Sequence, residues 1–209
     1  MLIKVCGLTD PENASLCLDL GADLLGFVFH PGSPRCITPQ AVAGMPRGRA
    51  LRAGVFTRRD PEAVLRSMEQ AGLDLAQLHG GHSPEECARI GPERVIKVLW
   101  PEAYPDLSAL EEELERFEPV CRFFLFDAGT RGGGHGRCLE PGVLQSLVPP
   151  RPWFLAGGLG PGNILEMIRQ HRPDGVDLNT GVEAKPGLKS ARLLLETGLF
   201  PPGCPAVGG

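Results

Sequence analysis

Residues 51–80 read LRAGVFTRRDPEAVLRSMEQAGLDLAQLHG, and this stretch contains the unit from which the fold is built. Two short apolar runs, Leu51–Phe56 and Leu73–Leu78, stand at or near its ends. Each run is continuous rather than alternating, which is typical of parallel strands buried on both faces. Between them, Asp60 before Pro61 marks a helix start, because aspartate caps free backbone N–H groups and proline suits the first helical position. The stretch therefore predicts a β-α-β unit.

The same unit recurs along the chain. Eight apolar runs are candidate strands: Leu2–Cys6, Leu24–Phe29, Leu51–Phe56, Leu73–Leu78, Val95–Trp100, Phe123–Phe126, Trp153–Ala156 and Gly175–Leu178. Helix starts are Asp10-Pro11, Thr38-Pro39, Asp60-Pro61 and Ser83-Pro84, with further helices expected at Leu107–Phe117, after Pro141, at Pro161–His171 and at Leu188–Leu195. This alternation predicts a single (β/α)8 TIM barrel with a parallel eight-stranded core. An open doubly wound sheet is the structural alternative.

The composition is that of an ordinary soluble globular protein. The 209 residues are 42% hydrophobic and 22% charged, with a formal charge of -4, which disfavours disorder, a collagenous repeat and a basic nucleic-acid binder. No apolar run reaches the roughly 18 to 20 residues that span a bilayer, and the first residues lack a signal-peptide pattern. We therefore expect a cytoplasmic protein with no membrane or nucleic-acid partner. One domain is expected over 1–200, followed by a Gly/Pro-rich tail over 201–209.

The cysteines and histidines do not suggest a metal site. Seven cysteines occur, none of them in a C-x-x-C pair, so most are expected to be reduced thiols that pack as small hydrophobic side chains. His30, His82 and His135 also lack metal-ligand spacing. No metal is expected.

In a TIM barrel, catalytic groups lie at the C-terminal ends of the strands. Polar and glycine residues at these ends belong to strands one, four, six, seven and eight. They are Cys6, Gln77, His79, Asp127, Gly157, Gly158, Asp177, Asn179 and Thr180. We expect the chemistry of the protein at this rim.

Two of these residues suit acid-base chemistry. Cys6 precedes Gly7, which permits a sharp turn, and a modest depression of the thiol pKa from about 8.5 would make the thiolate a proton acceptor. Asp127 closes the run Phe123–Phe126, and a carboxyl group beside apolar surface holds its proton more readily, as a general acid must. Simpler roles are that Cys6 fills a strand end, and that Asp127 caps the next loop or pairs with Arg131.

Two small-residue loops predict a phosphate site. Gly157 and Gly158 follow strand seven, and Asn179, Thr180 and Gly181 follow strand eight. Many barrels bind phosphate through backbone N–H groups at these two strand ends.

Three further side chains are candidates for defined partners. Arg35 lies in a proline-stiffened loop and offers a guanidinium fork to a substrate carboxylate, although many loop arginines are simply solvated. His79 contacts a ligand or is satisfied by backbone groups. Lys4 shares the side of strand one that carries Cys6, and a buried lysine needs a counterion. Because barrel closure places strand eight beside strand one, we predict a structural Lys4–Asp177 ion pair.

Several motifs occur together and in a specific order: Ile3–Thr9, Gly26–Phe29 with Ser33–Arg35, Gly54–Phe56, Gln77–Gly80, Phe126–Asp127 with Gly132–Gly136, Ala156–Leu159, and Gly175–Asp177 with Gly181–Glu183. Together they resemble the phosphoribosylanthranilate isomerase family of tryptophan biosynthesis. The resemblance extends from residue 2 into the region of residue 190.

The resemblance implies an Amadori rearrangement of N-(5-phosphoribosyl)anthranilate to 1-(2-carboxyphenylamino)-1-deoxyribulose 5-phosphate. It assigns Asp127 as general acid, Cys6 as general base and Arg35 as the residue that holds the anthranilate carboxylate. The two small-residue loops would bind phosphate. From their places at the strand ends, we also expect His79 and Asp177 to contact substrate. No cofactor is implied, because the substrate amine is the electron sink. The family commonly has two serines where this chain has Asn179 and Thr180, and some members form homodimers.

Other functions fit the residues less well. A ribulose-phosphate epimerase would need metal-binding histidines and aspartates at strand ends, and the related histidine-pathway isomerase uses aspartates as both acid and base. Cys6 disfavours each. A non-catalytic anion-binding barrel gives no reason for Cys6 and Asp127 to face each other.

Overall fold

The computed structural model describes residues 1–127 and 147–201 of the chain. Within them, eight parallel strands close into one barrel in chain order. They are β1 Leu2–Val5, β2 Leu24–Val28, β3 Leu51–Phe56, β4 Leu75–Leu78, β5 Val95–Leu99, β6 Phe123–Asp127, β7 Trp153–Ala156 and β8 Gly175–Leu178. Lys4 on β1 is in register with both Leu24 on β2 and Asp177 on β8, so β1 closes the barrel. The predicted TIM barrel is confirmed, and the open sheet is excluded.

Helices surround the barrel. They are α1 Pro11–Leu20, α2 Pro39–Ala43, α3 Pro61–Ala71, α4 Pro84–Ile90, α5 Leu107–Phe117, α6 Ile164–His171 and α7 Ala191–Glu196. The first four begin at the predicted prolines, and the preceding Asp10, Thr38, Asp60 and Ser83 each accept a hydrogen bond from a backbone N–H three residues on. These local capping signals therefore set the helix starts. The helix expected after Pro141 and the tail after Pro201 lie outside the described residues.

The predicted helix Leu188–Leu195 is wrong in its first turn. Leu188–Lys189 instead form β10, which pairs antiparallel with β9 Glu183–Lys185. The helix begins only after Ser190, whose hydroxyl accepts the backbone N–H of Leu193 at 3.3 Å. A hairpin thus follows β8, after one 3-10 turn at Thr180–Val182.

The start of α6 also differs from the prediction. The helix begins at Ile164 rather than Pro161. The side-chain oxygen of Asn163 accepts the backbone N–H of Gly160 at 2.9 Å, so these residues close a turn before the helix.

The core has two layers. Side chains from the strands fill the barrel interior, and a larger apolar layer lies between the strands and the helices. The interior set comprises Leu24, Ala53, Leu75, Ile96, Val98, Phe123, Leu125, Phe154 and Ala156. Among the residues described, no helix is both long and apolar enough to cross a membrane.

Candidate active site

A buried ion pair lies beneath the rim of the barrel. The Lys4 Nζ donates to Asp177 Oδ2 at 2.8 Å, and Lys4 is fully buried. Burial by itself would lower the pKa of Lys4, but the charges of Asp177 and Cys6 outweigh it and raise the pKa. The predicted Lys4–Asp177 pair is therefore present. Asp177 Oδ1 is buried and accepts no hydrogen bond from the described part of the chain.

Cys6 lies directly above this pair at the end of β1. Its side chain is buried and packs with Val28 and Val55. Burial raises the pKa of the Cys6 thiol, although the positive charges of Lys4 and Lys189 act to lower it. The depressed pKa considered from the sequence is therefore wrong for this structure. The reason is that a thiolate loses more hydration in this apolar pocket than two nearby ammonium groups restore.

A second group of titratable side chains lies on the far side of the rim. Asp127 ends β6, three strands away from β1 around the barrel. The His79 Nε2 is 4.0 Å from Asp127 Oδ2, and the imidazole meets the Trp100 ring edge-on with centroids 5.0 Å apart. Burial lowers the pKa of His79 despite the charge of Asp127. The proposed acid thus lies beside an imidazole that is mostly neutral at pH 7. Arg131, the alternative partner of Asp127, is outside the described residues.

Glu102 adds a further carboxyl group on this side. Burial and the charge of Asp127 both raise the pKa of Glu102. Because like charges repel, the charge of Asp127 disfavours ionisation of Glu102. This side of the rim therefore carries acidic groups, whereas Lys4 and Lys189 lie near Cys6.

Arg35 meets a carboxylate of the protein itself. Its Nε and Nη2 donate to Glu183 Oε1 and Oε2 at 2.9 and 2.6 Å, in a bidentate arrangement. Glu183 Oε1 also accepts Lys189 Nζ at 2.8 Å and the Gly187 backbone N–H at 3.0 Å. Burial would raise the pKa of Glu183, but the hydrogen bonds from Arg35 and Lys189 lower it below its usual range. Arg35 is thus held, and the sequence alternative of a simply solvated arginine is wrong.

The loop after β1 brings Arg35 and the loop after β8 together. Gly7 has a φ of +77°, and a Cβ built there would lie 2.6 Å from Arg35 Cδ and 2.8 Å from Asn179 Oδ1. Only glycine fits such a backbone in such a narrow space. Gly7 therefore permits the close approach of the three loops nearest Cys6.

The two loops predicted to bind phosphate also lie against each other. A Cβ on Gly181 would overlap the carbonyl oxygen of Leu159, so the backbones after β7 and β8 are in contact. Gly157 and Gly158 directly follow β7, and Gly158 is exposed. Asn179 Oδ1 accepts Lys189 Nζ at 2.9 Å, which leaves the amide nitrogen of that side chain as its donor. Thr180 is exposed.

Comparison with known proteins identifies the family. A family model described as N-(5'phosphoribosyl)anthranilate (PRA) isomerase matches residues 3–197. The chain belongs to this isomerase family. A family member from Maridesulfovibrio salexigens is 44% identical over 194 residues, covering 93% of this chain and 95% of its own. Another from Desulfovibrio desulfuricans is 47% identical over 195 residues, covering 93% and 92%.

Solved structures of the isomerase family have the same fold. The phosphoribosyl anthranilate isomerase of Thermus thermophilus has a TM-score of 0.80 at 38% identity, covering 94% of this chain and 96% of its own. The enzyme of Thermotoga maritima has a TM-score of 0.81 at 32% identity with the same coverage. A family structure with a TM-score of 0.76, at 31% identity and again with that coverage, holds reduced 1-(o-carboxyphenylamino)-1-deoxyribulose 5-phosphate. The resemblance seen in the sequence is confirmed.

The structure places the predicted isomerase residues at one end of the barrel, in two groups. Cys6, Arg35 and the loops after β7 and β8 form one, and His79 and Asp127 form the other. Sequence reasoning gave no role to Glu183 and Lys189, although Glu183 stands in a quoted motif. The available signal was Lys189, six residues after Glu183, but the apolar periodicity of Leu188–Leu195 favoured a helix over that position. Within the described ranges, no cluster of three or more His, Cys, Asp or Glu suits a metal ion.

Proposed function

We propose that the chain catalyses the Amadori rearrangement of N-(5-phosphoribosyl)anthranilate in tryptophan biosynthesis. The observation that carries this proposal is the rim itself. There a thiol, a carboxyl group, a guanidinium group and two contacting small-residue loops stand on one barrel whose sequence matches the isomerase family over residues 3–197. Fixing both charged ends of the substrate would hold its sugar at the acid and the base.

Asp127 would begin the reaction as general acid. It donates a proton to the ring oxygen of the ribose, and the C1–O bond breaks as the nitrogen lone pair forms the C1=N bond of an iminium ion. The neighbouring His79, with its lowered pKa, does not compete as a cationic proton donor at neutral pH.

Cys6 would complete the rearrangement as general base. Its thiolate takes the proton from C2, the C2–H electrons form a C1=C2 bond, and the C1=N electrons return to nitrogen. The resulting enolamine tautomerises to the ketone, so no oxidant or reductant is consumed. The thiol must first lose its own proton, and the cationic Lys4 and Lys189 favour that loss.

Substrate binding would use the remaining predicted residues. Arg35 holds the anthranilate carboxylate, while Gly157, Gly158, Asn179, Thr180 and Gly181 surround the phosphate. His79 and the unpaired Oδ1 of Asp177 contact the sugar or the amine nitrogen attached to its C1. The substrate amine supplies the electron sink, so we propose that the reaction needs neither a metal nor an organic cofactor.

We further propose that the chain acts in the cytoplasm on a small phosphorylated substrate, without a nucleic-acid or membrane partner. One structural relative, from Thermotoga maritima, is described as a dimeric isomerase that was converted to monomers. A homodimer of this chain is proposed by analogy, and sedimentation of the purified protein would measure it.

The test is a fluorescence assay. The protein is mixed with freshly generated phosphoribosylanthranilate, and the loss of anthranilate-type fluorescence is measured for wild type, Cys6→Ser and Asp127→Asn. We expect turnover by wild type, and a fall in kcat of about a hundred- to ten-thousandfold in each variant. Both variants should unfold cooperatively like wild type. An inert wild type that still binds a phosphate-bearing analogue would instead assign the site to a different phosphosugar.

A further inference from the structure

We infer that Glu183 is a positioning residue, which holds Arg35 with one edge of its guanidinium directed to the substrate carboxylate. The inference rests on the proposed function and extends it to the β9–β10 hairpin.

A guanidinium has five N–H donors in a planar, fixed arrangement. Glu183 takes the edge formed by Nε and Nη2, with distances of 2.9 and 2.6 Å. The adjacent edge, formed by Nη1 and the second N–H of Nη2, still has two parallel N–H groups that match a second carboxylate. The Arg35 side chain is 15% exposed, so part of it remains open to solvent after Glu183 is bound. Glu183 therefore orients Arg35 without using the edge that a substrate needs.

The charge balance supports the same role. Glu183 is shared by two cations, because Lys189 Nζ lies 2.8 Å from its Oε1. Arg35, Lys189 and Glu183 together carry a net charge of +1, which still attracts an anionic substrate. A simple Arg35–Glu183 pair would be neutral and would attract it less.

The hairpin fixes Glu183 in turn. The Gly187 backbone N–H donates to Glu183 Oε1 at 3.0 Å, and the Gly187 carbonyl accepts the Thr9 hydroxyl at 2.9 Å. Lys189 also donates to Asn179 Oδ1 at 2.9 Å. Glu183 is thus tied to the loops after β1 and β8. Because an arginine side chain has many rotamers, such a fixed partner lowers the entropy lost when substrate binds.

The experiment compares two substrates. One is phosphoribosylanthranilate, and the other is N-(5-phosphoribosyl)aniline, which lacks the carboxylate. For Glu183→Gln we expect kcat/KM to fall roughly ten- to a hundredfold with the first substrate, mainly through KM. With the aniline substrate it should change less than about twofold. The matched control is Glu62→Gln, which removes an exposed carboxylate–arginine pair, Arg89–Glu62 at 2.8 Å. This variant should leave kcat/KM unchanged with both substrates.

A second variant pair separates positioning from folding. In an Arg35→Met background, Glu183→Gln should cause no further loss with phosphoribosylanthranilate, since the residue it positions is gone. Equal losses on both substrates, or an additive loss in the Arg35→Met background, would show a merely structural role. A lower KM for Glu183→Gln would show that Glu183 competes with the substrate carboxylate. Each of these results overturns the inference, whereas a wild type inert on both substrates overturns the proposed function instead.

Discussion

At the scale of single residues, the site combines two buried titratable groups, the lysine of an ion pair and a thiol. Lys4 is fully buried and has Asp177 at 2.8 Å. Cys6 shares the same region, and burial raises the pKa of its thiol. The ion pair was predictable because side chains alternate along a strand and a closed barrel must place β8 beside β1. The pKa of Cys6 was not, because it depends on the packing of Val28 and Val55 around the sulfur.

The Lys4 pair predicts a specific stability loss. Lys4→Met leaves the Asp177 carboxylate buried without its cation, so we expect the free energy of unfolding to fall by about 3–5 kcal/mol at pH 7. The loss should shrink towards acidic pH, where Asp177 takes up a proton and no longer carries a buried charge. Denaturant unfolding at several pH values measures this. Arg89→Met, which breaks an exposed pair, should cost less than about 1 kcal/mol. A Lys4→Met protein as stable as wild type would refute the role of the pair.

At the scale of elements, the helix starts followed from local sequence and the hairpin did not. Asp10, Thr38, Asp60 and Ser83 cap helices through backbone groups only three residues away. The hairpin instead depends on contacts between distant parts of the chain, such as Glu183 with Arg35, 148 residues apart. An apolar run such as Leu188–Leu195 has no local feature that reveals this, so helix periodicity was the natural but incorrect interpretation.

The turn of the hairpin predicts an effect on substrate binding. Gly187 has a φ of +84°, and a Cβ there would lie 2.9 Å from the Thr9 side chain. Gly187→Ala should therefore destabilise the protein by about 1–3 kcal/mol and raise KM, because the turn holds Glu183. Gly198→Ala is the matched control: Gly198 has a φ of +71°, but its added Cβ would meet only Leu165, at 4.0 Å. It should lower stability without changing KM. An unchanged KM in Gly187→Ala would show that the hairpin turn does not affect substrate binding.

At the scale of the whole molecule, the barrel was predictable because its repeating unit is short and each copy carries its own signals. The apolar layer between strands and helices also contains buried cysteines, whose location the composition alone did not show. Cys17, Cys87 and Cys121 are free thiols buried in this layer, as expected of small hydrophobic side chains. Burial raises the pKa of Cys87 to about 11 and that of both other thiols to about 12.

These buried thiols predict a loss of stability in alkaline solution. In the unfolded chain a thiol ionises from about pH 8.5, whereas in the folded protein Cys87 stays protonated until about pH 11. The unfolded state then binds fewer protons than the folded state, so the free energy of unfolding should fall as pH rises through this interval. Cys87→Ala removes one such group, and its stability should decline less steeply between pH 9 and 11 than that of wild type, by up to about 1.4 kcal/mol per pH unit. Cys36→Ala, at an exposed position, should leave the wild-type slope unchanged. If urea unfolding across this range gives the same slope for Cys87→Ala and wild type, ionisation of this thiol does not limit the alkaline stability of the barrel.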